Sequence, residues 1–116
     1  MRLRNVKNAR DIVANSSYVI KNPSNYKGKY NSCIFHNDNP IYLEIGMGKG
    51  NFIIDKARKN PNINFIGVER YESVVCRALE KLENEKLDNV KIIVIDAIDL
   101  INVFDHEIST IYLNFS

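Results

Sequence analysis

Three carboxylates and a glycine turn are the residues of this 116-residue chain whose types and spacing could perform chemistry. Glu44 lies two residues before Gly46, where a Gly-x-Gly-x-Gly turn begins that ends at Gly50. Glu69 and Asp96 each follow a later apolar run. Glycines let the backbone approach a ligand closely, and a helix that begins after them directs its free N–H groups at the same space. Carboxylates accept hydrogen bonds from hydroxyl and amine groups. The set predicts a site for a nucleotide-type cofactor.

The elements that must position these residues follow from the apolar pattern after residue 40. Apolar runs predict strands, and apolar side chains at helical spacing predict the helices between them. The predicted elements are strand Ile41–Ile45, helix Asn51–Asn60, strand Asn64–Val68, helix Glu72–Leu87, strand Val90–Ile95, helix Ile98–Phe104 and strand Ser109–Phe115. Alternating strands and helices predict an α/β fold with a parallel sheet and helices on both faces. In such sheets the ligand binds outside the carboxyl ends of the strands, where the three acids fall.

The glycine spacing discriminates between two classes of cofactor. A dinucleotide fingerprint needs a third Gly or Ala at position 51, where this chain has Asn51. The pattern therefore favours S-adenosylmethionine over a nicotinamide cofactor. Gly46 and Gly48 are the predicted close contacts, whereas Gly50 could instead serve helix–strand packing.

Each remaining candidate has a role that its chemistry suggests. Glu69 can accept hydrogen bonds from two ribose hydroxyls, because a carboxylate offers two acceptor oxygens to a vicinal diol. Asp96 can accept the exocyclic amine of adenine, and the backbone N–H of Ala97 can donate to the ring. Glu44 is expected to order the loop and to face the amino group of the methionine part. Asn114 is either a site residue or a partner for backbone groups.

The charge distribution is compatible with a polyanionic partner. Residues 1–40 carry seven basic and two acidic residues, and residues 41–116 carry nine basic and twelve acidic ones. We divide the chain into a basic leader, residues 1–40, and a cofactor-binding domain, residues 41–116. The charge of the leader suits binding to nucleic acid, although a solvated tail explains it equally well. The leader is predicted as loop, apart from a short helix around residues 9–14. The apolar runs predict no membrane span, and the Cys and His spacing predicts no metal site.

Six motifs carry a resemblance to a known family. They are Met1–Asn5, Lys27–Lys29, the Glu44–Gly50 loop, Gly67–Arg70, Asp96–Ala97 and the closing Ile111–Ser116, whose Tyr-Leu-Asn-Phe-Ser is the most specific. Together they resemble the N-terminal half of bacterial tRNA (guanine-N7-)-methyltransferases. The resemblance implies a Rossmann-like class I methyltransferase fold with strand order 3-2-1-4. It implies Glu44, Glu69 and Asp96 as ligands of S-adenosylmethionine, and a cytoplasmic enzyme that binds tRNA and methylates N7 of a guanine in its variable loop.

The same resemblance implies that the chain is a fragment. In the family, the closing motif continues into an Asp-Pro-Trp-Pro segment that is catalytic and binds guanine. That segment would follow Ser116, so no catalytic residue is assigned. The 116 residues alone are expected to be inactive and to leave the fourth strand as an uncovered apolar edge.

Two other functions stay open at this point. One is an S-adenosylmethionine-dependent methyltransferase with another substrate, which the methylated product would distinguish. The other is a non-catalytic nucleotide- or RNA-binding module, which would bind tRNA without turnover. A nicotinamide dehydrogenase is disfavoured by Asn51.

Overall fold

The computed structural model describes the backbone of residues 3–114 and the side chains of residues 8–114. The helices are α1 (Leu3–Asn15), α2 (Asn51–Lys59) and α3 (Glu72–Glu85), and the strands are β1 (Ile41–Ile45), β2 (Asn64–Val68), β3 (Val90–Ile93) and β4 (Ile108–Leu113). Short 3-10 helices span Pro23–Tyr26 and Ala97–Asn102, and a single π-helical turn spans Asn31–Phe35. The motif residues Met1, Arg2, Phe115 and Ser116 lie outside the described ranges. Within those ranges, no helix is long and apolar enough to cross a bilayer.

The four strands form one parallel sheet in the order β3-β2-β1-β4, which confirms the predicted order. The chain moves from β1 to β2 and β3 on one side and then crosses to β4 on the other. The strand order therefore reverses at β1, and a crevice opens at its carboxyl end, where ligands bind in open α/β sheets. The glycine turn leaves β1 at that point.

The predicted bounds of β1 and β2 are confirmed, and the remaining elements differ by a few residues. Helix α3 ends at Glu85 rather than Leu87, because Lys86 takes a left-handed conformation with φ 56°. Strand β3 ends at Ile93 rather than Ile95, and the helix predicted over Ile98–Phe104 is the 3-10 helix Ala97–Asn102. These differences lie at element ends, where the local pattern is weakest.

Apolar cores cover both faces of the sheet, as the near-continuous apolar strands predict. All five residues of β2 are buried. One core packs α1, α2 and α3 against the sheet, and its buried side chains include Ile53, Leu79 and Leu82. The other core joins the strands to residues from the leader, among them Tyr30 and Phe35.

More of the leader packs against the domain than the loop prediction allows. Helix α1 begins at Leu3 rather than near Ala9, and Ala9 and Val13 are buried in the core that α3 shares. Beyond it, Ile20 N–H donates to Ile92 O and Ile92 N–H donates to Tyr18 O, both at 2.8 Å, so the leader backbone pairs with the outer edge of β3. The predicted helix around residues 9–14 is therefore too short, whereas residues 16–40 contain only short helical turns and an isolated bridge at Val19, in line with the loop prediction. The division of the chain at residue 40 stays a prediction.

Strand β4 forms the other edge of the sheet and exposes apolar side chains. Ile111 and Leu113 are 55% and 61% exposed, and their register places them on the sheet face of Leu43 and Ile45. An exposed apolar edge strand is a template for association. We therefore expect the 116-residue chain to self-associate as its concentration rises, and Ile111→Lys to reduce that association.

Light scattering coupled to size-exclusion chromatography would measure the mass at each concentration. Ser109→Lys is the matched control. Ser109 is an exposed position of β4 like Ile111, and replacing it with lysine adds the same charge without removing apolar surface. A chain that stays monomeric and unfolds cooperatively at every concentration would contradict this prediction.

Candidate functional site

A cleft of about 270 Å³ opens at the carboxyl edge of the sheet beside the glycine turn. Four of the six predicted cofactor ligands line this cleft, namely Gly46, Glu69, Asp96 and Ala97. Gly48 lines a second cavity of about 380 Å³ next to it, together with residues of the α2 N-terminus and Asn114. Glu44, the sixth, is buried in β1 two residues before Gly46. The fold thus brings the predicted site residues to one end of the sheet.

The turn between β1 and α2 uses a backbone conformation that favours glycine. Gly46 and Gly48 have φ values of 78° and 58°, in the left-handed region that penalises other residues. A Cβ added to Gly46 would overlap the carbonyl oxygen of Asn114, whereas one added to Gly48 would meet nothing within 4 Å. Gly46 is therefore required by contact with the end of β4, and Gly48 leaves open space. Gly50 faces Ala78 of α3, which supports its packing role.

The N-terminus of α2 follows the turn directly. No side chain caps this helix, whose preceding residue is Gly50. The first N–H groups of any α-helix lack acceptors within it and carry partial positive charge. Asn51 and Phe52, the first two residues of α2, line the same cavity as Gly48. This cavity is therefore suited to an anionic group such as a carboxylate.

Glu44 is buried with one side-chain oxygen unpaired. The residue is 1% exposed, and its Oε2 accepts a hydrogen bond from Asn114 Nδ2 at 3.1 Å. Among the described side chains, its Oε1 is buried without a hydrogen-bond partner. Burial raises the pKa of the Glu44 carboxyl, and the bond from Asn114 opposes that rise. A buried polar atom without a partner costs about 1–3 kcal/mol, so this oxygen is suited to a cationic donor from a ligand.

Glu69 is held by backbone groups at the end of β2. Gly48 N–H donates to its Oε1 at 3.1 Å, and the N–H groups of Arg70 and Tyr71 donate to its Oε2 at 3.1 and 3.2 Å. An ionised carboxylate offers about four acceptor positions, so Oε1 retains one for a hydroxyl group. The bond from Gly48 also ties this acid to the glycine turn. The acid is therefore positioned before any ligand binds.

Asp96 already has two partners. Its Oδ1 accepts from Ile98 N–H at 3.1 Å, and its Oδ2 pairs with Arg70 Nη1 at 3.2 Å. The hydrogen bond from Ile98, followed by the one from Arg70, lowers the pKa of the Asp96 carboxyl. The guanidinium of Arg70 also lies 4.7 Å from the ring centre of Tyr71. Arg70 therefore reaches from the end of β2 to Asp96, three residues after the end of β3.

The pairing of Arg70 with Asp96 is the feature of the site that sequence reasoning missed. From sequence alone, Arg70 and Tyr71, which follow Glu69, could either cover a bound adenosine or begin a helix. Tyr71 does precede α3 as its N-cap residue. The ion pair could not be predicted, because Arg70 and Asp96 are 26 positions apart and meet only when β2 and β3 pair. The one local signal was the position of Arg70 directly after Glu69.

These features define a class of α/β proteins that bind a nucleotide-like ligand where the strand order reverses. A family described as putative methyltransferase matches residues 38–116. The chain belongs to that family.

Curated bacterial proteins named tRNA (guanine-N(7)-)-methyltransferase are similar to the whole chain. Identity is 48% over 117 residues with the protein of Lachnoclostridium phytofermentans and 47% over 118 residues with that of Bacillus subtilis. All of this chain is aligned in both cases, with 54% and 55% of those two proteins. The chain therefore spans about half the length of the curated relatives it matches.

Solved methyltransferase structures share the fold. A putative S-adenosyl-L-methionine-dependent methyltransferase of Methanococcus maripaludis is similar with a TM-score of 0.60 and 18% identity, over 98% of this chain and 48% of that one. A phosphoethanolamine N-methyltransferase of Haemonchus contortus, solved with S-adenosylhomocysteine, is similar with a TM-score of 0.56 and 23% identity, over 65% of this chain and 17% of that one. These likenesses confirm the predicted methyltransferase-type arrangement of strands and helices.

Proposed function

We propose that this chain binds S-adenosylmethionine and forms part of an enzyme that methylates N7 of guanine in tRNA. The observation that carries the proposal is the buried Glu44 carboxylate beside the glycine turn, whose Oε1 has no partner among the described residues. S-adenosylmethionine carries an ammonium group, which is the kind of donor that such an oxygen needs. Its carboxylate suits the uncapped N-terminus of α2 and the open space at Gly48.

The adenosine half of the cofactor is assigned to the cleft at the ends of β2 and β3. Glu69 has one acceptor position left on Oε1, so we assign one ribose hydroxyl to it rather than the two that the sequence suggests, because backbone N–H groups occupy the other positions. Asp96 and the backbone N–H of Ala97 are assigned to the edge of adenine. Gly46 lines the same cleft, but its missing side chain makes room for the carbonyl oxygen of Asn114 rather than for the ligand. The exposed Arg70 side chain moves off Asp96, or shares it, when the adenine amine binds there.

The chemistry demands alignment more than proton transfer. When bound, S-adenosylmethionine supplies a methyl group activated by its sulfonium. Guanine N7 attacks with a lone pair and has no proton to lose, so a general base is not needed. The contribution of this chain is to hold the methyl donor in one orientation. The activation barrier is then lower, because orientational freedom is already lost when the donor binds.

The tRNA substrate is supported by the names of the similar bacterial proteins and by the basic leader. The Arg10 side chain is 84% exposed, and Lys27 and Lys29 are exposed as well. We propose that Arg2, Arg4, Lys7 and Arg10 of the leader meet tRNA phosphates; the first three lie outside the described side chains. Lysine and arginine contacts to phosphates release counterions, so binding of tRNA should weaken as salt rises. A tRNA substrate would also place the protein in the cytoplasm.

Isothermal titration with S-adenosylmethionine tests the proposal. We expect saturable binding by the chain, and Glu69→Ala to weaken it by about 10- to 100-fold, because hydrogen bonds to a charged group are lost. Glu80→Ala is the matched control, since the Glu80 side chain is 70% exposed and lies on α3 away from both cavities at the glycine turn. Absence of binding by a chain that circular dichroism shows to be folded would contradict the cofactor assignment.

A further inference from the structure

Asn114, at the carboxyl end of β4, contacts three consecutive residues of β1 and the glycine turn. Its backbone N–H donates to Ile45 O at 3.1 Å. Its side-chain Nδ2 donates to Glu44 Oε2, also at 3.1 Å. Its carbonyl oxygen occupies the place that a side chain on Gly46 would need. One residue therefore ties the last strand of the sheet to the acid and to the turn.

The side-chain contact has a specific consequence for the Glu44 carboxylate. With Oε2 bound to an amide donor, rotation of the carboxylate about its last bond is restricted. Oε1 is then presented in a fixed direction, buried and without a partner among the described residues. The amide carries no charge, so it satisfies one oxygen and leaves the carboxylate charge available to a ligand cation.

We infer that Asn114 is a positioning residue, which holds the Glu44 carboxylate so that Oε1 receives the ammonium group of the cofactor. This inference rests on the proposed function. It assigns to the end of β4 a role in holding the methionine half of the ligand. Asn114 also lines the cavity that Gly48 and the α2 N-terminus share, where the amino acid part of the ligand is placed.

A purely structural role makes a different prediction. The backbone contacts of Asn114 to Ile45 and Gly46 hold β4 against β1, and their loss would disturb the entire site. The binding of every ligand would then weaken together. A positioning role through the side chain affects only ligands that carry the amino group.

Two probes separate these roles, S-adenosylhomocysteine and methylthioadenosine, because the second has the adenosine but lacks the amino acid. We expect Asn114→Ala to weaken binding of S-adenosylhomocysteine by about tenfold, the size expected for a hydrogen bond to a charged group. Binding of methylthioadenosine should change by less than about twofold. Ser109→Ala on the same strand is the control and should leave both affinities unchanged.

A double substitution provides the second readout. If Asn114 acts through Glu44, Asn114→Ala should cause no further loss in a Glu44→Gln background, because coupled residues are not additive. Asn114→Ser, which keeps a small polar group too short to reach Glu44, repeats the test if the alanine variant unfolds. Equal weakening of both probes, or no change in either, would overturn the inference. Failure of the unsubstituted chain to bind either probe would instead refute the proposed function, and this inference with it.

Discussion

Gly46→Ala is expected to destabilise the chain far more than Gly48→Ala. Both glycines have positive φ, 78° and 58°. Holding alanine in this left-handed conformation costs about 1–2 kcal/mol at either position. Only at Gly46 would the new Cβ overlap a backbone atom, the carbonyl oxygen of Asn114. Backbone cannot move aside as a flexible side chain can, so β4 must separate from β1 or the turn must change. We expect a total loss of about 3 kcal/mol or more at Gly46.

Urea denaturation monitored by circular dichroism would measure both losses. The comparison is internally controlled, because the two substitutions add the same methyl group in the same turn and differ only in what that methyl meets. Similar losses of unfolding free energy at the two positions would show that the Asn114 carbonyl does not lie as close to Gly46 as in the structure.

The sheet could be predicted from sequence because its strands are dictated by local pattern. Ile41–Ile45 and Asn64–Val68 are apolar runs bounded by residues that favour turns, and both bounds are confirmed. Alternation of these runs with helical segments leaves few possible topologies. The leader behaved differently. Tyr30 is fully buried, yet it lies among polar residues whose pattern favours a loop, so only its tertiary contacts reveal it.

The site could be predicted as a location but not as a network. Glycines and acids at strand ends are visible in the sequence, and the structure brings them together. The partners of those acids are not visible, because Gly48 reaches Glu69 over 21 positions and Asn114 reaches Glu44 over 70. Such contacts depend on strand register, which the local pattern does not specify across a crossover.

Glu44 is a residue whose proposed function conflicts with its contribution to stability. The carboxyl is buried, and burial raises its pKa above the ordinary value. An acid with a raised folded-state pKa binds its proton more tightly when folded than when unfolded. The folded chain therefore loses stability as the pH rises from the ordinary carboxyl pKa of about 4.3 through the raised value. Below that window Glu44 is protonated in both states and the penalty disappears.

Glu44→Gln should therefore raise the free energy of unfolding by about 1 kcal/mol at neutral pH, since it keeps the shape and removes the buried charge. The gain should vanish near pH 4, and urea denaturation over a pH series would measure both. Glu80→Gln, at an exposed position, should change little at either pH. A gain that is the same at every pH would show that charge burial is not its cause.

The same variant should bind S-adenosylhomocysteine at least about tenfold more weakly, because a neutral amide cannot pair with an ammonium group. A more stable chain that binds less would identify Glu44 as a carboxylate whose charge serves the ligand at the expense of the fold.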